Sequence, residues 1–375
     1  MAGVDAWLVV GGRRWARVVA GELCASMPGD TKIKVLAGST DPELLDWWKI
    51  SPHKHRIELI SELEPCPKSM NGVALVVNSA YQHRSTTQSA LSAGYSVVSE
   101  KPLAFSQHES TELLELASGL GLNLFAANTF MFADYLSILR SNWLEKGRTA
   151  EIEIAWSDAG REVRYGEVKG YDSSVPVIFD VLPHIATIIA ATHGMVSLGR
   201  SELIVRRGGR EVIASFECSG LVIRARISRD AEKRVRLARF TGPAFNVAID
   251  FAVEPGTVSL NGGPAVDVDP AWHTKRKPLA EMLSGVRLFY ESGRMDERLS
   301  LKAALLGNEM IDRVVSSYVR QQIQFLRRDG GVGSGESVDV AYAKKEAHSI
   351  STRVLPFLSS TSPLRELADF VQASR

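Results

Sequence analysis

Apolar and polar positions follow two different rhythms along the chain, and the rhythm changes near Arg148. Before that point short apolar runs are separated by stretches with helical spacing. AWLVV (6–10), KIKVLA (32–37), GVALVV (72–77), YSVV (95–98) and LNLFAA (122–127) read as buried strands. Trp15, Val18, Val19 and Leu23 share one face of a helix that stops at Pro28-Gly29. A later helix ends at Gly94, and another runs from Gln107 to about Ser118. Strands alternating with helices make βαβ units, and so a parallel sheet covered on both faces.

Beyond Arg148 the period drops to two. TAEIEIAW (149–156), SELIVRR (201–207), REVIASFE (210–217), LVIRARISR (221–229), KRVRLARF (233–240) and FNVAIDF (245–251) alternate polar and apolar residues. Gly208-Gly209 and Ser219-Gly220 separate several of them, as in an open antiparallel sheet with one solvated face. A helical stretch (180–192) interrupts the series, and helices follow over 279–291 and 300–325. Asp329-Gly330-Gly331-Val332-Gly333-Ser334-Gly335 has linker composition. What comes after it is either a mobile tail or a helix docked elsewhere.

Composition narrows the function classes. The 375 residues suffice for two ordinary domains, and the net charge is only +1. No basic block supports a nucleic-acid partner. No window reaches the roughly 18 apolar residues a membrane helix needs. The N-terminus runs straight into a strand pattern, with no separate basic and apolar regions of a signal peptide. Cys24, Cys66 and Cys218 are scattered and odd in number, which fits a reducing cytoplasm and no metal site.

The first strand ends in Gly11-Gly12-Arg13-Arg14-Trp15-Ala16. The dinucleotide turn is G-x-G-x-x-G/A, opening a helix whose free N–H groups face the phosphates. Gly11 and Ala16 fit its ends, and Arg13 stands at the middle glycine. Either that arginine turns outward, or the turn is shortened to Gly12–Ala16. The second strand ends without the acid that would hold ribose hydroxyls: Ser39 and Thr40 are there, and Asp41 before Pro42 reads as a helix N-cap. Ser39 and Thr40 tolerate a 2′-phosphate, and Arg13 or Arg14 attracts one. NADP(H) is therefore preferred, with NAD(H) possible.

The stretch 72–105, GVALVVNSAYQHRSTTQSALSAGYSVVSEKPLAF, joins a strand, a polar turn with His83, a helix ending in Ala93-Gly94, a strand, and Glu100-Lys101-Pro102-Leu103. This order and spacing resemble the Gfo/Idh/MocA family, the glucose–fructose oxidoreductase and inositol dehydrogenase group. The resemblance implies an α/β fold with a Rossmann domain on a parallel sheet (1–130). A substrate-binding and oligomerisation α/β domain with a large, mostly antiparallel open sheet (131–328) follows, then a linker and C-terminal extension (329–375). It places Lys101 beside nicotinamide and substrate. The peptide before Pro102 is often cis in such proteins.

A second family signature, D-x-G-x-H, is matched by Asp180 and His184, with Leu182 at the middle glycine. The Gly-rich run before it and the acid after it are replaced by Asp172-Ser173-Ser174-Val175-Pro176 and Thr187. Chemically the set is coherent. A hydride moved at an oxygen-bearing carbon requires a proton to move too, and histidine titrates near neutrality. A lysine polarises the oxygen, and an Asp at i−4 can orient the imidazole. Lys101, His184 and Asp180 are the candidate catalytic residues. Asp180 as a plain N-cap, with Pro183 in the first turn, and His184 as a core histidine are the bland alternatives. Asn78, Ser79, His83, Glu100 and Asn128 join the turn residues 11–16, Ser39, Thr40 and Lys101 as the cofactor set. Phe130, Phe132 and Tyr135 suit helix core or pocket wall. Tyr165, Tyr171 and the basic run 273–277 are weaker candidates.

The resemblance thus implies an NADP(H)-dependent oxidoreductase acting on a hydroxyl or ketone of a sugar, cyclitol or related polar metabolite. It further implies a homodimer or homotetramer. The alternatives are a cyclic imine reductase and a non-catalytic, cofactor-sensing regulator. Lys101 speaks against the first, and the retained Asp180 and His184 speak against the second.

Overall fold

The short apolar runs of the first third pair side by side. In the computed structural model, which describes residues 3–37, 42–160, 162–164, 167–169, 171–218, 220–329 and 337–373, they form one parallel sheet. Its elements are β1 (Ala6–Val10), α1 (Arg14–Ser26), β2 (Ile33–Leu36), α2 (Pro42–Ile50), β3 (Ile57–Ile60), β4 (Gly72–Val76), α3 (His83–Ser92), β5 (Ser96–Ser99), α4 (Gln107–Gly119) and β6 (Leu124–Ala126). Strand order is β3-β2-β1-β4-β5-β6, so the direction of winding reverses between β1 and β4 while all strands stay parallel. Ligands of such sheets bind at the carboxyl ends of the strands beside that switch. β3 has no counterpart among the sequence expectations. It is a four-residue edge strand with one buried position, too short to show a period.

The alternating segments form the second sheet. After α5 (Asp134–Leu139) come β7 (Glu151–Ala159), the hairpin β8 (Glu162–Arg164) and β9 (Glu167–Lys169), and α6 (Val177–His193). Then follow β10 (Leu198–Arg206), β11 (Glu211–Cys218), β12 (Leu221–Ala231), β13 (Val235–Gly242), β14 (Phe245–Asp250), β15 (Thr257–Leu260) and β16 (Val266–Asp267). Eight strands run in the order β10-β11-β12-β7-β13-β14-β15-β16, antiparallel except for the parallel pair β12–β7. One face buries Ile152, Ile154, Phe216, Ile223, Ile227 and Phe240, and α6 packs against β12. Helices α7 (Pro278–Ser292), α8 (Lys302–Asp329), α9 (Val338–Ser349) and α10 (Leu364–Ala373) complete the chain.

The chain divides into two units, residues 1–132 with 276–305 and residues 133–275 with 306–375. The return of 276–305 to the first unit departs from the sequence boundary at 130. Met282, Leu283 and Val286 of α7 share a core with Trp7, Val9 and Phe125, and Phe289 meets Phe125 edge-on at 5.5 Å. Helical spacing says that a face is buried, not which sheet buries it. The extension likewise is not a free tail: Val340, Tyr342, Ala343 and Ala347 of α9 are buried in the second unit.

Candidate active site

In the first unit the turn after β1 is tight. Gly11 donates its N–H to the Leu36 carbonyl at 2.9 Å and has φ +149°. A Cβ there would lie 3.1 Å from the Val77 carbonyl oxygen, so only glycine lets this turn lie against the end of β4. Gly12 follows, Arg13 is the exposed, extended N-cap, and Ala16 is buried inside α1. Arg13 is turned outward, as the register from Gly11 to Ala16 requires. The Arg13 side chain makes no capping hydrogen bond, and the first turn of α1 holds no acid. Its N–H groups and positive dipole end suit an anion.

The charged pair after β5 is braced from two directions. Trp15 donates its indole N–H to Glu100 Oε1 at 2.7 Å, and the Lys101 backbone N–H donates to Glu100 Oε2 at 3.2 Å. Burial raises the Glu100 carboxyl pKa, while Lys101 and Trp15 work to lower it. The Lys101–Pro102 peptide is cis. His83, 2% exposed, sets Nδ1 at 2.8 Å from the Pro102 carbonyl and Nε2 at 3.2 Å from that of Asn78. Burial above all, and Lys101 as well, lower it to about 4, so near neutrality it is uncharged, donates to one of the two carbonyls and packs between the β4 and β5 loops.

Asn78 donates to Thr86 Oγ1 at 2.8 Å, and its own Oδ1 is buried without a hydrogen-bond partner among the described residues. Ser79 opens the short turn into α3, its carbonyl accepting from the Gln82 N–H at 2.8 Å. Asn128 donates its amide to the Ser300 carbonyl at 3.1 Å. A cavity of about 240 Å³ lies at the carboxyl ends of β1 and β2, lined by Val10, Leu36, Leu63, Thr86 and Ala90 among others. Leu63 and Thr86 carry no motif and escaped sequence reasoning. Ser39, Thr40 and Asp41 lie outside the described residues, as does Tyr165. The bare turn, the open helix end and the orphaned Asn78 oxygen fit a dinucleotide.

In the second unit Asp180 and His184 sit one turn apart on α6. The helix begins at Val177 with Pro176 as N-cap, so Asp180 lies in the first turn and is not the cap. Pro183 stands one turn further in than the sequence suggests. Asp180 Oδ2 accepts from Arg229 Nη2 at 3.1 Å. Arg229 also donates to the Val175 carbonyl at 2.6 Å, and its side chain is 1% exposed. Burial opposes its charge, but Tyr342, Asp180 and Glu346 outweigh burial and raise its pKa. The His184 ring stacks on Trp156, centroids 5.0 Å apart and planes 18° apart. Arg236 lies 3.7 Å over the same indole and pairs with Asp158, and burial lowers it to about 10.

Arg229, Trp156 and Arg236 were absent from the sequence candidates. A signal existed: in LVIRARISR and KRVRLARF the apolar face of the alternation carries Arg229 and Arg236. The weaker candidates take structural places. Tyr135 donates to Glu254 at 3.2 Å, Phe132 is buried, and Lys275 pairs with Asp269 at 2.9 Å. Tyr171 rests against Tyr342, ring centroids 5.5 Å apart. No His/Cys/Asp/Glu cluster able to hold a metal occurs among the described residues.

Residues 7–127 match the model of the "Oxidoreductase family, NAD-binding Rossmann fold". Comparison with curated proteins returned no match. Among solved structures, the UDP-N-acetylglucosamine 3-dehydrogenase of Acidithiobacillus ferrooxidans aligns with TM-score 0.63 and 15% identity, over 84% of this chain and 98% of that one. A dehydrogenase of Clostridium difficile gives 0.63 and 16%, over 84% and 99%. A 3-ketoreductase of Actinomadura kijaniata, solved with TDP-benzene and NADP, gives 0.63 and 13%, over 82% and 96%. At these identities the likeness concerns the fold. Residues 7–127 accordingly match the NAD-binding Rossmann fold of the Gfo/Idh/MocA oxidoreductase family.

Proposed function

We propose that the chain is an NADP(H)-dependent oxidoreductase acting on a hydroxyl or ketone carbon of a sugar, cyclitol or related polar metabolite. The observation that carries this reading is Lys101, held after β5 by the Trp15–Glu100 brace and the His83 strut in a domain of this family. The nicotinamide, when bound, supplies the hydride chemistry. Gly11, Gly12 and the first N–H groups of α1 hold the pyrophosphate, and Asn78 Oδ1 accepts from the cofactor. Arg13 or Arg14 takes the 2′-phosphate that makes NADP(H) the preferred form. A 3-ketoreductase of similar fold was solved with NADP, which supports that preference.

Lys101 Nζ polarises the substrate oxygen and lowers the cost of alkoxide charge. His184 takes the proton in oxidation and returns it in reduction. Arg229 donates to Asp180 and fixes its carboxylate one turn from His184, and Trp156 holds the plane of the imidazole. The protein works as a homodimer or homotetramer through the solvated face of the eight-stranded sheet, in the cytoplasm. Among the described residues no helix is long and apolar enough to cross a membrane.

Quenching of protein fluorescence by NADPH and NADH tests the cofactor assignment. NADPH should bind at least about tenfold tighter, or about 1.4 kcal/mol, and equal affinities would overturn it. Turnover with D-glucose, myo-inositol and nucleotide-linked hexoses, followed at the nicotinamide absorbance, tests the reaction. Lys101→Ala should lose at least about a hundredfold in kcat with NADPH affinity kept, and an unchanged kcat would remove Lys101 from the chemistry.

A further inference from the structure

Arg229 answers to more than Asp180. It lies within hydrogen-bonding reach of Tyr342, whose hydroxyl donates to Glu346 Oε2 at 3.4 Å. Glu346 is 1% exposed, and its Oε1 accepts from the Tyr318 hydroxyl and from Gln322 Nε2. Tyr342 and Glu346 belong to α9, in the extension beyond the linker, whereas Tyr318 and Gln322 come from α8.

The seat of α9 is specific. Gly208, with φ +60°, packs so closely that a Cβ would stand 2.5 Å from the Asp339 carbonyl oxygen. Arg210 donates to Asp339 Oδ1 at 2.8 Å, and the Ser173 and Ser349 hydroxyls meet at 2.9 Å. One buried guanidinium therefore touches Asp180 directly and feels the charge of Glu346 from across Tyr342. A negative charge on Glu346 opposes the positive potential that Arg229 sets up at Asp180, and its loss strengthens the Arg229–Asp180 attraction.

We propose that Glu346, carried by α9, is a positioning residue for the Asp180–His184 pair, sharing Arg229 with Asp180 and so setting the charge and orientation of Asp180 one turn from His184. The inference rests on the proposed proton-handling role of that pair. It gives the extension a task in the reaction, transmitted through Tyr342 and Arg229. Burial, set against Tyr318, Arg229, Gln322 and Tyr342, raises Glu346 to about 7, so the coupling changes within the working pH range. The titratable and charged groups facing it are Tyr318 of α8, Tyr342 of α9 and Arg229 of β12, with Tyr171 acting at longer range.

The test is an NMR titration of the ¹⁵N-histidine-labelled full chain. The His184 ring signals are identified by their loss in His184→Gln. In the unsubstituted protein they should show an inflection near pH 7 besides their own titration. Glu346→Gln, whose amide still accepts from Tyr318, should abolish it. Tyr342→Phe, which leaves the Tyr318 and Gln322 bonds intact, should reduce it by at least about half. His184 curves that coincide in the unsubstituted protein and folded Glu346→Gln overturn the proposal. Where Glu346→Gln does not fold, a curve unchanged in Tyr342→Phe does so. Normal turnover by His184→Gln would overturn the catalytic reading instead, while leaving the inflection in place.

Discussion

Replacing Arg229 by methionine isolates the charge that holds Asp180. Methionine keeps most of the apolar stem and removes the guanidinium. The Val175 carbonyl loses a donor at 2.6 Å, and Asp180 loses its partner at 3.1 Å. An orphaned buried carbonyl costs about 1–3 kcal/mol. Asp180 keeps a third of its side chain exposed, so its share is discounted to about 1 kcal/mol. With the packing lost against Tyr171, the total comes to about 3–4 kcal/mol, near the range for breaking a buried ion pair. In a protein of this size that lowers Tm by about 5 °C. Urea unfolding followed by far-UV circular dichroism and by tryptophan fluorescence measures it. Asp180→Asn in the same background completes a double-mutant cycle, with an expected coupling of about 1–2 kcal/mol. A cost below about 1 kcal/mol, or additivity within about 0.3 kcal/mol, would refute the claim that Arg229 and Asp180 act as a pair.

Gly11→Ala should weaken NADPH binding at least about tenfold through backbone strain at the turn, with the melting temperature lowered by only a few degrees; isothermal titration would sink the cradle if the affinity held. Gly208→Ala forces α9 away from its seat and should cost about 3 kcal/mol in urea unfolding, and a neutral substitution would mean α9 is not docked there. Stability should also depend on pH in two opposed ways. His83 falls from 6.5 to about 4 on folding, so its contribution is present above 6.5 and is lost as pH falls toward 4, about 3 kcal/mol in all. Glu346 rises from 4.5 to about 7, so its contribution is full below 4.5 and is lost as pH rises through 7. The two slopes oppose each other between 4.5 and 6.5. Glu346→Gln should therefore lose stability more steeply on acidification than the unsubstituted chain, and equal slopes at pH 5 and pH 7 would show that Glu346 does not titrate as described.

Periodicity carried most of the fold because both periods were clean. Five of the six strands of the parallel sheet are apolar runs bounded by turn residues, and β7 and β12 of the second sheet alternate regularly. What stayed hidden is non-local. α7 reads as an amphipathic helix anywhere in the chain, and only its pairing with Phe125 assigns it to the first unit. α9 follows a glycine-rich stretch, and its seat depends on Gly208, more than a hundred residues away in sequence.

The candidate site divides along the same line. Lys101 stands in a contiguous motif at a strand end, so a local pattern suffices to pick it out. Its braces do not stand so close: Trp15 is 85 residues away in sequence, and only the βαβ winding brings it to Glu100. For Asp180 the local pattern misleads. The pattern left a plain N-cap open beside the catalytic reading, yet the helix starts at Val177 and Asp180 pairs with a cation instead. That cation was written in the strand alternation, where Arg229 takes a place an aliphatic residue would fill. An arginine on the apolar face of a strand must be paired, because its desolvation is otherwise too costly. Its partner must then be an acid or a row of carbonyls on whatever covers that face, and here α6 provides the acid and the loop before α6 a carbonyl. An inward-facing charge in an otherwise regular strand thus points to an acid nearby, on the covering helix for Arg229 and on the neighbouring strand for Arg236, without any motif on either element.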